Sequence, residues 1–138
     1  MNHKSYLMIK CILPDNPTLT ELTTKTLSQF IKAHWPDAKL TLITNEKYWK
    51  YENTRYLIYN ISNTGPIYIR ELIKHFDLDW WYLEDTVYAI EKKQSVVEEE
   101  AVWNKNCHPN ATFLIPEIEW VHIYTWEDDD DSAISYPG

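Results

Sequence analysis

The chain of 138 residues is 44% hydrophobic and 14% aromatic and carries a formal net charge of −8. That length suits one domain burying roughly two-thirds of the surface its unfolded form exposes, and the composition excludes general disorder. With two glycines and two cysteines it offers neither a glycine-cradled phosphate loop nor a disulfide scaffold.

Residues 5–13 contain the run YLMIKCIL, which predicts a β-strand closed by Pro14. The next stretch, PDNPTLTELTTKTLSQFIKAHWP, predicts a helix capped at Thr18 or Thr20. Its Leu19, Leu22, Leu27, Phe30 and Ile31 recur at near-helical spacing until Pro36 stops it. KLTLIT, residues 39–44, alternates as a half-buried strand; NEKYWKYENT reads as a polar, aromatic turn, and residues 55–62 as another strand. A second helix is expected in SNTGPIYIRELIKHF, capped by Asn63 or Thr64, with Pro66 in its first turn. Ile69, Leu72, Ile73 and Phe76 would line one face of it.

Residues 77–93 fit a strand or a helix, and the β-branched and aromatic residues favour extended structure over residues 86–90. VVEEEAVW, residues 96–103, would pair with that strand across the EKKQ turn. NKNCHPNAT reads as a loop, and residues 113–126 as one long strand with a bulge or edge position at Pro116. The expected fold is therefore α+β: a βαββαβ ferredoxin-like core, helices on one face of a mainly antiparallel sheet, with extra C-terminal strands. Residues 1–138 form a single domain in this reading, and residues 128–138 a flexible acidic tail. The N-terminal apolar run is too short and interrupted for a signal peptide, and no run nears the roughly 20 residues of a membrane span. A cytoplasmic protein with free thiols at Cys11 and Cys107 is the expectation.

Charge is divided along the chain. Residues 1–76 carry ten Lys and Arg against six Asp and Glu, a balance of +4. Residues 77–138 carry three Lys against fifteen Asp and Glu, a balance of −12. Scattered carboxylates would suffice for solubility; segregation creates a directional field that attracts basic partners and repels phosphate backbones. Nucleic acid is disfavoured as a partner.

The chemical alternatives are thin. His75, Asp77 and Asp79 in HFDLD could offer a histidine and two carboxylates to a metal or a general-base site. A histidine ending a helix against its negative dipole end is the more ordinary role. Cys107 and His108 are adjacent in a proline-containing loop, which is no argument for a nucleophile and its base. The run Glu127, Asp128, Asp129, Asp130, Asp131 lacks the spaced ligands and turning glycine of an ordered calcium loop. No metal and no cofactor is expected, and the chain reads as a binding protein rather than an enzyme.

Seven tryptophans exceed what one core of this size readily buries. Trp80, Trp81, Tyr82, Trp103, Trp120, Tyr124 and Trp126 interleave with Asp79, Glu84, Glu117, Glu119 and Glu127. Stacking on nucleic acid would want basic residues between the rings; acidic ones suit anchorage on a positively charged protein. Part of this set must pack the core. The candidate contact residues are Glu98, Glu99, Glu100, Glu117, Glu119, Trp120, Trp126, Glu127, Asp128, Asp129, Asp130 and Asp131.

In size, single-domain character and acidic, aromatic-rich composition, the whole chain resembles the small immunity proteins that neutralise bacterial polymorphic and contact-dependent growth inhibition toxins. The resemblance rests on no diagnostic motif. It implies a cytoplasmic protein that binds the C-terminal domain of a toxin, often a nuclease, and blocks its active site. On that resemblance WEDDDD and VVEEE would meet the Lys- and Arg-rich groove with which a nuclease holds phosphates. The +4 balance of the N-terminal half departs from an evenly acidic phosphate mimic. Two other classes share parts of the pattern: a phage-type acidic mimic of nucleic acid that blocks a host defence complex, and a small enzyme built on His75, Asp77 and Asp79 or on Cys107.

Overall fold

The structure is a computed structural model that describes residues 4–65, 67–76, 78, 80–89, 94–106 and 110–128, and only the backbone of residues 4–6, 85–89, 94–97 and 126–128. Strand β1 (Lys4–Pro14) leads into helix α1 (Pro17–His34), followed by β2 (Lys39–Lys47) and β3 (Thr54–Ser62). A short helix α2 (Ile69–Ile73) precedes β4 (Trp81–Ala89), β5 (Gln94–Asn104) and β6 (Trp120–Asp128). All strand pairs are antiparallel, and the sheet runs β2-β3-β1-β6-β5-β4. The fold is α+β and mostly sheet.

Helix α1 starts earlier than the threonine caps would put it. Asn16 holds an extended backbone, its Oδ1 accepts from the Thr18 N–H at 2.9 Å, and Pro17 fills the first helical position. Thr23, Leu27 and Ile31 make the buried stripe, which leaves Leu22 44% exposed. Strand β2 runs on through Lys47, and a bulge at Ile43 between Leu42 and Thr44 turns that side chain out to 51% exposure.

The second helix is much shorter than its apolar pattern suggests. Asn63 and Gly65 adopt left-handed φ values of 62° and 70°, so neither Asn63 nor Thr64 begins a helix. The helix begins instead at Tyr68, which supplies no side-chain cap. The chain from residue 113 to 119 is also not strand. Leu114 has φ 58°, Phe113 and Ile115 form an isolated bridge, and the extended run resumes at Trp120.

The strand after α2 does not take the place expected of it beside β1. That position belongs to β6, and β4 lies at the far edge of the sheet. Burial explains the exchange. β6 offers Val121, Ile123 and Thr125 at 0–2% exposure, which suits a central strand, whereas β4 carries Trp81 at 61% and Leu83 at 41%.

Cross-strand partners share a face of the sheet. Leu7, Ile9 and Cys11 of β1 pair with Ile61, Tyr59 and Leu57 of β3, and with Thr125, Ile123 and Val121 of β6. Ala101 and Trp103 of β5 continue the same face. These apolar residues join Leu27 and Ile31 of α1, Ile69 and Leu72 of α2, and Phe113, Ile115 and Ile118 in one buried cluster. Phe30, Phe76 and Phe113, with centroids 4.7 Å apart at each step, tie α1, α2 and the later loop over it. The opposite face displays Met8, Lys10, Ile58, Val102, His122 and Tyr124, all half-buried and none in the cluster. One side of the sheet is core and the other is open.

Among the described residues no helix is long and apolar enough to cross a membrane. Burial pushes the Cys11 thiol from 9.0 up to about 12. The unfolded chain therefore loses this proton first as pH rises, and stability falls as pH climbs from 9.0 towards 12. Urea titrations should show the decline beginning near pH 9, and a thiol reagent should leave Cys11 unmodified in the folded protein at neutral pH. Ile123→Ala should cost about 2–5 kcal/mol, whereas Met8→Ala on the open face should cost under about 1.5 kcal/mol. Equal costs would contradict a one-sided core.

Candidate open-face interface

Strand alternation splits the Glu98, Glu99, Glu100 run. In the β5–β6 register Glu98 stands opposite Trp126, Glu99 opposite Thr125 and Glu100 opposite Tyr124. Glu99 therefore turns into the core, where it is 2% exposed. Its carboxylate accepts from the Ile69 N–H at 3.0 Å, from Thr125 Oγ1 at 3.4 Å and from the Tyr82 hydroxyl. Ile69 is the first residue of α2, so a strand supplies the cap that Tyr68 lacks. Burial, and then the hydrogen bond and charge of Glu99, push the Tyr82 hydroxyl well above the usual phenol range. Tyr82 also bonds Glu84 at 3.2 Å, and Arg70 reaches Glu84 at 3.7 Å while lying over the Tyr82 ring. Glu99 is a structural residue and not the partner contact expected from the sequence.

Glu98 and Glu100 point the other way. Along β6, Trp120, His122 and Tyr124 form a ladder on the open face, with successive ring centroids 5.9 and 6.5 Å apart. His122 Nε2 lies 2.9 Å from a Glu100 carboxylate oxygen, and the Tyr124 hydroxyl donates to Glu98 at 3.2 Å. Each of these carboxylates steadies a ring on the neighbouring strand and still keeps its charge at the surface. Side-chain exposure is 37% for Glu100 and 16% for His122. Trp81 and Leu83 extend the apolar area across β4, opposite Val102 and Glu100. Lys10 also lies in this area, paired in register with His122 and Ile58.

Glu98 and Glu100 thus reach the Tyr124 and His122 rings of the ladder that Trp120 begins. Glu119 immediately precedes Trp120 and is exposed, as is Glu117 in the turn before it. Trp126, Glu127 and Asp128 contribute backbone to the end of β6; Asp129, Asp130 and Asp131 lie outside the described residues, as does the rest of the expected tail. Asp77, Asp79, Cys107 and His108 also lie outside them, whereas His75 packs against His34 with ring centroids 4.1 Å apart. Among the described residues no group of three or more His, Cys, Asp or Glu side chains is placed to hold a metal. His122 and Tyr124 complete the ladder, and sequence reasoning missed their joint role. Their signal was the alternation in WVHIYTW, where rings occupy every second position and Val121, Ile123 and Thr125 the others.

No family model matches the chain, and neither a curated protein nor a solved structure matches it.

Removing the Glu99 carboxylate strands the Ile69 N–H and the Tyr82 hydroxyl. Glu99→Ala should lower unfolding free energy by about 2–3 kcal/mol, while Glu100→Ala should change it by about 1 kcal/mol or less. Chemical denaturation of the two variants reads the difference, and a Glu100→Ala loss as large as that of Glu99→Ala would remove Glu100 from the candidate surface.

Proposed function

We propose that this protein is a cytoplasmic immunity protein that neutralises a bacterial toxin by laying the open face of its sheet against the toxin's basic C-terminal domain, a nuclease. The observation that carries this reading is the Trp120, His122, Tyr124 ladder, held by Glu98 and Glu100 on a face outside the core. Rings fixed in this way lose little side-chain freedom on docking, so more of their burial is available to binding. The flanking carboxylates, in a chain of net charge −8, steer a cationic surface towards them.

An uncovered antiparallel sheet bearing aromatic side chains is also how proteins hold single-stranded RNA. The electrostatics here favour a protein. Glutamates bond two rings of the ladder, His122 and Tyr124, and repel phosphates arriving over the same rings. In this reading the protein binds and does not catalyse, and uses no metal or cofactor. It also treats β1, α1, β2, β3 and α2 as a ferredoxin-like core in which β6 fills the fourth-strand place and the β4–β5 hairpin is an addition.

The reading requires a toxin gene beside this one, and the test is co-expression with the C-terminal domain of the toxin that the adjoining upstream reading frame is expected to encode. An upstream frame that encodes no toxin counts against the reading. The wild-type chain should restore growth and form a complex whose association slows with salt. Glu98→Gln with Glu100→Gln should cut the association rate about tenfold at low salt. Trp120→Ala should raise the dissociation rate and cost about 2 kcal/mol or more of binding energy. Undiminished protection and affinity in the variant carrying all three substitutions would move binding to another face, and a complex with RNA in place of protein would refute the reading.

A further inference from the structure

The ladder does not stop at Trp120. Beyond it the open face dips into a groove of about 770 Å³ between the strand ends at Trp120 and Tyr56 and the turn joining β2 to β3. That turn carries Tyr48, Trp49 and Tyr51, and Tyr48 packs within 6 Å of three rings: Trp49 at 5.9 Å, Tyr51 at 5.7 Å and Tyr56 at 5.8 Å. Trp49 is 87% exposed and Tyr51 57%, far more than core packing asks of such side chains. Glu119, next to Trp120 in the chain, also lines the groove. Its backbone is fastened on both sides, the N–H donating to the Ile12 carbonyl and the carbonyl accepting from the Lys105 N–H, each at 2.9 Å.

We infer that this groove is the seat for an arginine side chain of the basic partner, a cation held between aromatic faces and the Glu119 carboxylate. The inference rests on the docking reading above and deepens it by naming what the partner inserts. Ring faces are negative in their quadrupole and attract a flat guanidinium, which stacks on them while its N–H groups reach a carboxylate in plane. One of the groove's own lining residues is placed in this way: Lys50 has its Nζ 5.5 Å from the centroid of the neighbouring Tyr51 ring. Lys50 acts there as an internal stand-in. An entering arginine displaces it or meets its repulsion, so Lys50 weakens the site as it stands.

A tetra-arginine peptide and its neutral isostere tetra-citrulline, titrated into the whole protein and followed by residue-resolved NMR, test the assignment. The arginine peptide should shift the indole N–H signals of Trp49 and Trp120, and the citrulline peptide should not. Trp49→Ala and Glu119→Gln should each weaken the arginine peptide about two- to fivefold, and Lys50→Ala should tighten it by a similar factor. Trp49 is exposed enough for its loss to leave folding intact, and the unchanged amide spectrum of the variant checks that. Equal binding of citrulline, or weaker arginine binding in Lys50→Ala, overturns the assignment. Shifts confined to His122, Tyr124 and Val102, with a silent groove, overturn it too while leaving the docking face in place. No response anywhere also overturns it, and the co-expression test then judges the docking reading by itself.

Discussion

A sheet covered on one side must send every second side chain to the other. The antiparallel register of β1, β3, β5 and β6 imposes that rule here and decides which side chains are buried and which are presented. Ile123 is buried because it pairs with Ile9 and Ala101; His122 is presented because it is the residue before. A slip of one residue between β5 and β6 would carry Val121, Ile123 and Thr125 into water and Trp120, His122 and Tyr124 into the core. Burial of the aliphatic set is the restoring force that keeps the aromatic ladder outside. The display surface is thus maintained by the packing behind it.

Glu99 shows what that constraint costs. The strand has to place a residue inwards between Glu98 and Glu100, and in this sequence the residue is a carboxylate. A buried charge without partners would be strongly destabilising. The first N–H of α2, Thr125 and the Tyr82 hydroxyl meet it, so the group that threatened the core now fixes where α2 begins. The helix end in turn carries Phe76 onto Phe30 and Phe113. Electrostatics in β5 and aromatic packing above the sheet are one connected arrangement.

This also accounts for what the sequence made legible and what it did not. The strands over residues 5–13 and 55–62 and most of the apolar face of α1 are local patterns that read correctly; Leu22 is the exception on that face, left 44% exposed. The cap of α2 comes from a residue thirty positions away, so no inspection of the SNTGPIYIRELI stretch could find it. The left-handed residues Asn63, Gly65 and Leu114 break the two elements whose hydrophobic spacing looked continuous. For the site, composition pointed to aromatics beside carboxylates. It treated Glu98, Glu99 and Glu100 as one block, where a period of two divides them between surface and core. The turn at Tyr48, Trp49 and Tyr51 read as a connection only, because the groove it lines forms only with Trp120 arriving beside it from the far end of the chain.

The exposed rings are the features that folding alone explains least. Leaving Trp49 and Trp81 in water forgoes the burial energy that a tryptophan can contribute. Packing them inwards is barred by register for Trp81, opposite Val102, and by the turn for Trp49. Both could be polar residues without harm to the core. Trp81 borders the ladder through β5, and Trp49 lines the groove where the ladder ends, so the two mark opposite limits of one surface. Glu98, Glu100 and Glu119 are distributed along that same surface; on the docking reading proposed above, their charge would both select a cationic partner and discourage the apolar face from meeting another copy of itself. On that reading, the carboxylates that favour the proposed contact are also what allows so aromatic a face to stand uncovered.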